Sequence, residues 1–100
     1  MLVKKEFQKD DVIDIKMANG DEVISTFINE TRDEITIKNP MVLTMGPNGA
    51  LGMIPWIFLS EQKEHTLRKS QTFVVSKTRK DSCDQYLKLI QSMEEVSEEN

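Results

Sequence analysis

The sequence predicts a mainly β domain, a strongly bent antiparallel sheet of five strands followed by one C-terminal helix, on three observations. Val12 to Ile28 alternates apolar and polar residues on both sides of Asn19-Gly20. Such alternation puts one face of each strand on a core, and Asn-Gly supplies the positive φ angles of a tight hairpin. A second alternating run, Glu34 to Met45, follows a polar turn at Asn29 to Asp33. From Asp81 onward the apolar residues recur at helical spacing instead.

Taken in order, Leu2 to Lys9 reads as a short helix or an ordered arm, so that residues 1–11 precede the sheet. Residues 12–80 hold the five strands. The first two flank Asn19-Gly20 and the third is Glu34 to Met45. Gly46-Pro47-Asn48-Gly49 then gathers turn formers ahead of a fourth run, Leu51 to Leu59. That run is nearly all apolar but contains Pro55, which has no amide to give a central strand, so it belongs at an edge. A long apolar edge invites pairing with another chain, which makes Ile54, Trp56 and Phe58 candidates for an oligomer interface. The competing reading is that Trp56 and Phe58 fill the protomer's own core. Thr66 to Ser76 is the fifth strand, with Phe73 and Val75 as further interface candidates. Asp81-Ser82 offers a helix N-cap, and Cys83, Tyr86, Leu87, Ile90 and Met93 form an apolar stripe over residues 81–96. An acidic tail, residues 97–100, closes the chain.

Composition bounds the function. With 100 residues, 38% hydrophobic and 30% charged, one small domain with a modest core is expected, and oligomerisation is a natural source of stability for it. No apolar stretch approaches the roughly 18 residues of a membrane span, and no signal peptide opens the chain, so the expected location is the cytoplasm, with no membrane partner. A single cysteine, Cys83, forbids an internal disulfide and reads as a small apolar residue on the helix face. Neither a metal cluster nor a cofactor motif is present in the sequence.

The net charge of −4 is unevenly spread. Lys63, Arg68, Lys69, Lys77, Arg79 and Lys80 face Glu64 alone in residues 63–80, whereas residues 81–100 carry six carboxylates against Lys88. A basic fifth strand is the footprint expected for phosphate contacts, although a charge run is also what a solvated face looks like.

At this point the order of elements resembles the Sm-like proteins, including bacterial Hfq. In that pattern a hydrophobic residue precedes Asn-Gly, a small residue follows after four intervening residues with an aliphatic two further on, and a later β-rich run ends in Lys-Asn. It is similar to Met17-Ala18-Asn19-Gly20 through Ile35-Thr36-Ile37-Lys38-Asn39. A second block, a basic pair followed by a Thr-Val-Val-like strand, is similar to Leu67-Arg68-Lys69-Ser70-Gln71-Thr72-Phe73-Val74-Val75. Together the two cover well under half of the chain. Ser25 stands where the family has the glycine that bends the second strand, Thr31 where it has the acidic residue of its base-contacting loop, and Lys69 where an Arg-Gly signature would place glycine. The segment between the blocks is longer than in Hfq, and the helix lies at the C-terminus instead of the N-terminus. A diverged, short chain with an acidic tail looks like a bacteriophage or environmental relative, whose cytoplasm would be that of the host.

The resemblance implies an Sm-like open barrel and a ring of roughly five to seven copies, closed by pairing the fourth strand of one protomer with the fifth strand of the next. It also implies single-stranded RNA at the pore. The RNA-binding candidates are Arg68 and Lys69, with Asn29, Thr31 and Arg32 from the neighbouring loop. A second expectation is a structural or adaptor ring that binds a protein partner without RNA, using Trp56 or Met41, Met45 and Met53 as contact surface. An enzyme is not expected. The lone His65 sits among Glu61-Gln62-Lys63-Glu64 with no acid–base partner at useful spacing and reads as a surface loop residue.

Overall fold

The structure, a computed structural model, describes residues 6–98. Its elements are β1 (Val12–Met17), β2 (Glu22–Glu30), β3 (Glu34–Met45), β4 (Leu51–Pro55), β5 (Glu64–Arg68), β6 (Thr72–Lys77) and α1 (Lys80–Glu98). The mainly β class with a C-terminal helix is therefore as the sequence predicts. All pairings are antiparallel, in the order β4-β3-β2-β1-β6, with β5 alongside β4 on the outer edge of β3.

Both tight hairpins have the same construction. Met17 N donates to Asp21 O at 2.8 Å and Gly20 has φ +99, so the first loop has three residues with only the glycine left-handed, rather than positive φ at both Asn19 and Gly20. The Asn19 side chain instead accepts from Asp21 N at 3.0 Å. In the second loop Gly46 N donates to Ala50 O at 2.8 Å and Gly49 has φ +81.

Among the described residues six strands replace the expected five because the fifth run splits in two, and the fourth ends early. The fourth run is strand only to Pro55. Trp56 N makes a last bond to Pro40 O at 3.0 Å, and residues 56–63 leave the sheet. The chain returns as β5, so β4 pairs Met41–Met45 while β5 pairs Glu34–Lys38 of the same long strand. Thr66 to Ser76 splits likewise, because β5 lies on the outer edge of β3 whereas β6 pairs β1 at the opposite edge of the sheet. One 3₁₀ turn, Lys69–Gln71, spans the two. Edges tied by three residues must lie close together, so the sheet is curled into an open barrel.

Its curvature is concentrated at two points. The β2–β3 register shifts between Ile24 and Thr26, around the fully buried Ser25, whose hydroxyl donates to Lys38 O at 2.7 Å. A small residue with a hydroxyl thus fills the bend and bonds the carbonyl of Lys38 on the facing strand. Opposite it, Asn39 adopts φ +52 ahead of Pro40.

The inside of the curl buries Ile13, Ile15, Met17, Val23, Phe27, Ile35 and Ile37. Phe7 plugs its end, with its ring centroid 5.6 Å from that of Phe27. Residues 6–11 form an ordered arm with a turn and no helix, and Leu2 to Lys5 lie outside the described residues. The outer face carries Val12, Ile24 and Met41, which α1 covers with Cys83, Tyr86, Leu89 and Ile90. Leu87 and Met93, expected in that stripe, are 48% and 41% exposed, and Leu89 takes their place. The helix begins one residue before the expected cap, since Cys83 N donates to Arg79 O at 2.8 Å and Asp81 lies inside the first turn. It also runs through the start of the expected tail, to Glu98; residues 99–100 lie outside the described residues. Among the described residues no helix is long and apolar enough to cross a membrane.

Tyr86 joins the layers. It is fully buried, and its hydroxyl lies 3.1 Å from Lys38 O, 2.9 Å from Asn39 O and 3.0 Å from Thr26 Oγ1. One helix side chain thus shares its single O–H between two neighbouring carbonyls at the kink in β3. Burial pushes this phenol up to about 12.

Candidate functional site

The curl brings two turns together at one end of the barrel. Between β2 and β3, Thr31 N donates to Glu34 O at 2.9 Å and Glu34 N donates to Thr31 Oγ1 at 3.2 Å, which leaves Arg32 and Asp33 as the two tip residues. The Lys69–Gln71 turn docks on that tip through Lys69 N, which donates to Asp33 O at 2.9 Å. Its own geometry is held by Thr72 Oγ1, which donates to Lys69 O at 2.8 Å.

Between the turns lies a cavity of about 450 Å³ lined by Thr31, Arg32, Asp33, Glu34, Arg68, Lys69 and Ser70. Four of the five sequence candidates, Thr31, Arg32, Arg68 and Lys69, therefore share one pocket although nearly forty residues separate the two turns. Asn29 does not reach it. It is exposed within β2, where it pairs with Thr36. Sequence reasoning missed Glu30, Asp33, Glu34 and Ser70. Lys69 Nζ is 2.8 Å from Glu30 Oε2, so one of the two central cations already has a counter-ion. Arg32 and Arg68 form no ion pair among the described residues. With two more carboxylates in its lining, the pocket is mixed in charge, not uniformly basic.

The interface candidates divide. Phe73 on the free edge of β6 is 72% exposed and Val74 beside it 57%; Ile54 on β4 is 43% and Phe58 68% exposed. Trp56 and Val75 pack instead against the interior cluster, and Trp56 Nε1 donates to Asp21 Oδ2 at 3.1 Å, tying the 56–63 excursion to the first hairpin. Of the three methionines, Met41 is buried under α1, Met53 packs beside it and Met45 is exposed.

Two other clefts flank the helix. One, of about 220 Å³, runs between the second half of α1 and the excursion, lined by Met41, Pro55, Phe58, His65, Ile90 and Met93. His65 is thus a half-buried strand residue paired with Ile37, not a loop residue, because β5 forms where the sequence reads as a charged connector. The other, of about 360 Å³, lies at the helix start between Asp14, Glu22, Lys77, Arg79 and Ser82. There burial, followed by a hydrogen bond and repulsion from Glu22, pushes the Asp14 carboxyl up to about 7. Burial, then Asp84, pushes the Cys83 thiol up, away from the thiolate that reactive chemistry requires. Among the described residues no group of three or more histidine, cysteine or acidic side chains is placed to hold a metal ion.

No protein-family model matches this chain, and no curated protein shows significant similarity to it.

Proposed function

We propose that this protein is a diverged Sm-like chain that closes into a homo-oligomeric ring and binds single-stranded RNA between the β2–β3 turn and the Lys69–Gln71 turn. The observation that carries this reading is the 2.9 Å bond from Lys69 N to Asp33 O, which gathers Thr31, Arg32, Arg68 and Lys69 around one cavity. Arginine side chains supply both phosphate contacts and flat surfaces on which bases stack, so a site without an aromatic ring retains a platform. Ring closure is supported by the two open edges of the sheet, β4 with β5 on one side and β6 on the other, each bearing exposed apolar side chains. An edge of this kind is hidden most economically by a head-to-tail contact that closes.

Native mass by light scattering, with and without short uridine-rich and adenine-rich RNAs, tests both parts. A closed oligomer that gains mass with RNA is the expected result. Replacing Arg68 and Lys69 together by alanine should weaken RNA binding about tenfold or more and flatten its salt dependence while the oligomer stays intact. An oligomer that ignores RNA at low salt would move the assignment to an adaptor ring with a protein partner. The exposed Phe58 and the adjacent Leu59, 98% exposed, favour that second reading.

A further inference from the structure

Glu34 and Arg68 are directly opposed partners across the β3–β5 ladder. Directly opposed residues point to the same side of a sheet with Cβ atoms about 5 Å apart. The neighbouring pair on that side, Thr36 and Thr66, joins its hydroxyls at 3.0 Å, while the intervening Leu67 turns to the interior with Ile35. Glu34 and Arg68 therefore project outward side by side into the cavity between the two turns. Yet neither takes part in an ion pair among the described residues. The site consequently offers a five-donor guanidinium fork next to an acceptor-only carboxylate, with the second carboxylate of Asp33 nearby.

These groups say more about a base than about a phosphate. Arg32, Arg68 and Lys69 stand among Asp33, Glu34 and the Glu30 partner of Lys69, so the pocket offers acceptors as well as cations and phosphate contacts alone do not use all of its groups. A base gains where its edge presents acceptors followed by donors. Guanine carries N7 and O6 as acceptors and then N1–H and N2–H₂ as donors on one continuous edge. Arginine pairs bidentately with the first two, and a carboxylate receives the last two. Adenine would bring its N1 lone pair against the carboxylate. Uracil offers a single N3–H between two carbonyl oxygens, so part of its edge is repelled.

We infer that the Glu34–Arg68 pair makes this pocket a guanine-reading subsite within a single-stranded RNA. The inference rests on the RNA-binding reading above and names the base that the site prefers.

The test measures fluorescence anisotropy of the intact protein with a labelled uridine hexamer and with hexamers carrying one central guanosine, inosine or adenosine, at one fixed salt concentration. One guanosine should tighten binding about tenfold, the scale of one good bidentate contact. Inosine, which lacks the N2 amine, should retain only part of that gain, and adenosine none. Glu34→Gln, which places an amide donor where the amine arrives, should abolish the preference for the guanosine hexamer over the uridine hexamer while leaving the native mass unchanged. Equal affinity for the uridine and guanosine hexamers, or an equal gain from adenosine, would overturn the guanine inference and leave RNA binding standing. Absence of binding to all four hexamers would overturn both.

Discussion

Asp14 is the residue with the clearest pH signature. Because the folded chain holds its proton more tightly than the unfolded chain does, Asp14 contributes stability that is complete below its ordinary value of 3.8. That contribution is lost as pH climbs to about 7. Asp14→Asn should therefore leave the urea midpoint near that of the parent at acidic pH and raise it at pH 8. Equal midpoints at pH 8 would mean that Glu22 and solvent already accommodate the charge. At this scale the candidate site was partly legible. A basic pair ahead of a β-rich run marked Arg68 and Lys69, and the resemblance to the Sm-like base-contacting loop marked Thr31 and Arg32. Glu34 and Asp33 escaped notice because a carboxylate in a turn has no sequence signature beyond solubility. Only the β3–β5 register turns Glu34 into the neighbour of Arg68.

At the scale of elements, Ser25 and Tyr86 act on one carbonyl from different directions. Ser25 Oγ reaches Lys38 O from β2, and the Tyr86 hydroxyl reaches it from α1. Ser25→Ala and Tyr86→Phe should each cost about 1–2 kcal/mol, the price of a lost buried hydrogen bond. The double variant should cost more than their sum, since it removes both side-chain donors from Lys38 O. Chemical denaturation of the four proteins checks this, and strict additivity would separate the two contacts. The strands most legible in the sequence, β1 to β3, are those whose alternation is set by one buried face. The breaks at residues 56–63 and 69–71 were not legible, for different reasons. Pro55 ends the ladder inside an otherwise apolar run, and Lys69–Gln71 contains neither glycine nor proline. That turn is imposed by the need to carry the chain from one sheet edge to the other, a tertiary demand that local propensity does not record.

For the whole molecule, the exposed side chains of the two free edges make the proposed ring testable apart from folding. Phe73 contributes little to the protomer's own core, so Phe73→Glu should leave the thermal transition of the protomer fold within about 0.5 kcal/mol of the parent's while reducing the native mass to that of a monomer. Light scattering and circular dichroism on the same sample decide between this and a purely surface role for Phe73, in which the mass would not change.

The three-residue tie between β5 and β6 also sets the order in which the chain can come together. Hairpins β1–β2 and β3–β4 join near neighbours, whereas Ile15 meets Val75 across sixty residues of sequence. Contact order predicts that this seam closes last, since its loop entropy is offset only once the intervening strands have formed. It is correspondingly the first to part. In native-state hydrogen exchange the β1–β6 ladder should lose protection before the β2–β3 ladder. During each such opening β1 offers the same unpaired edge that β6 ordinarily occupies, so a chain caught in that moment can receive the β6 of a neighbour in place of its own.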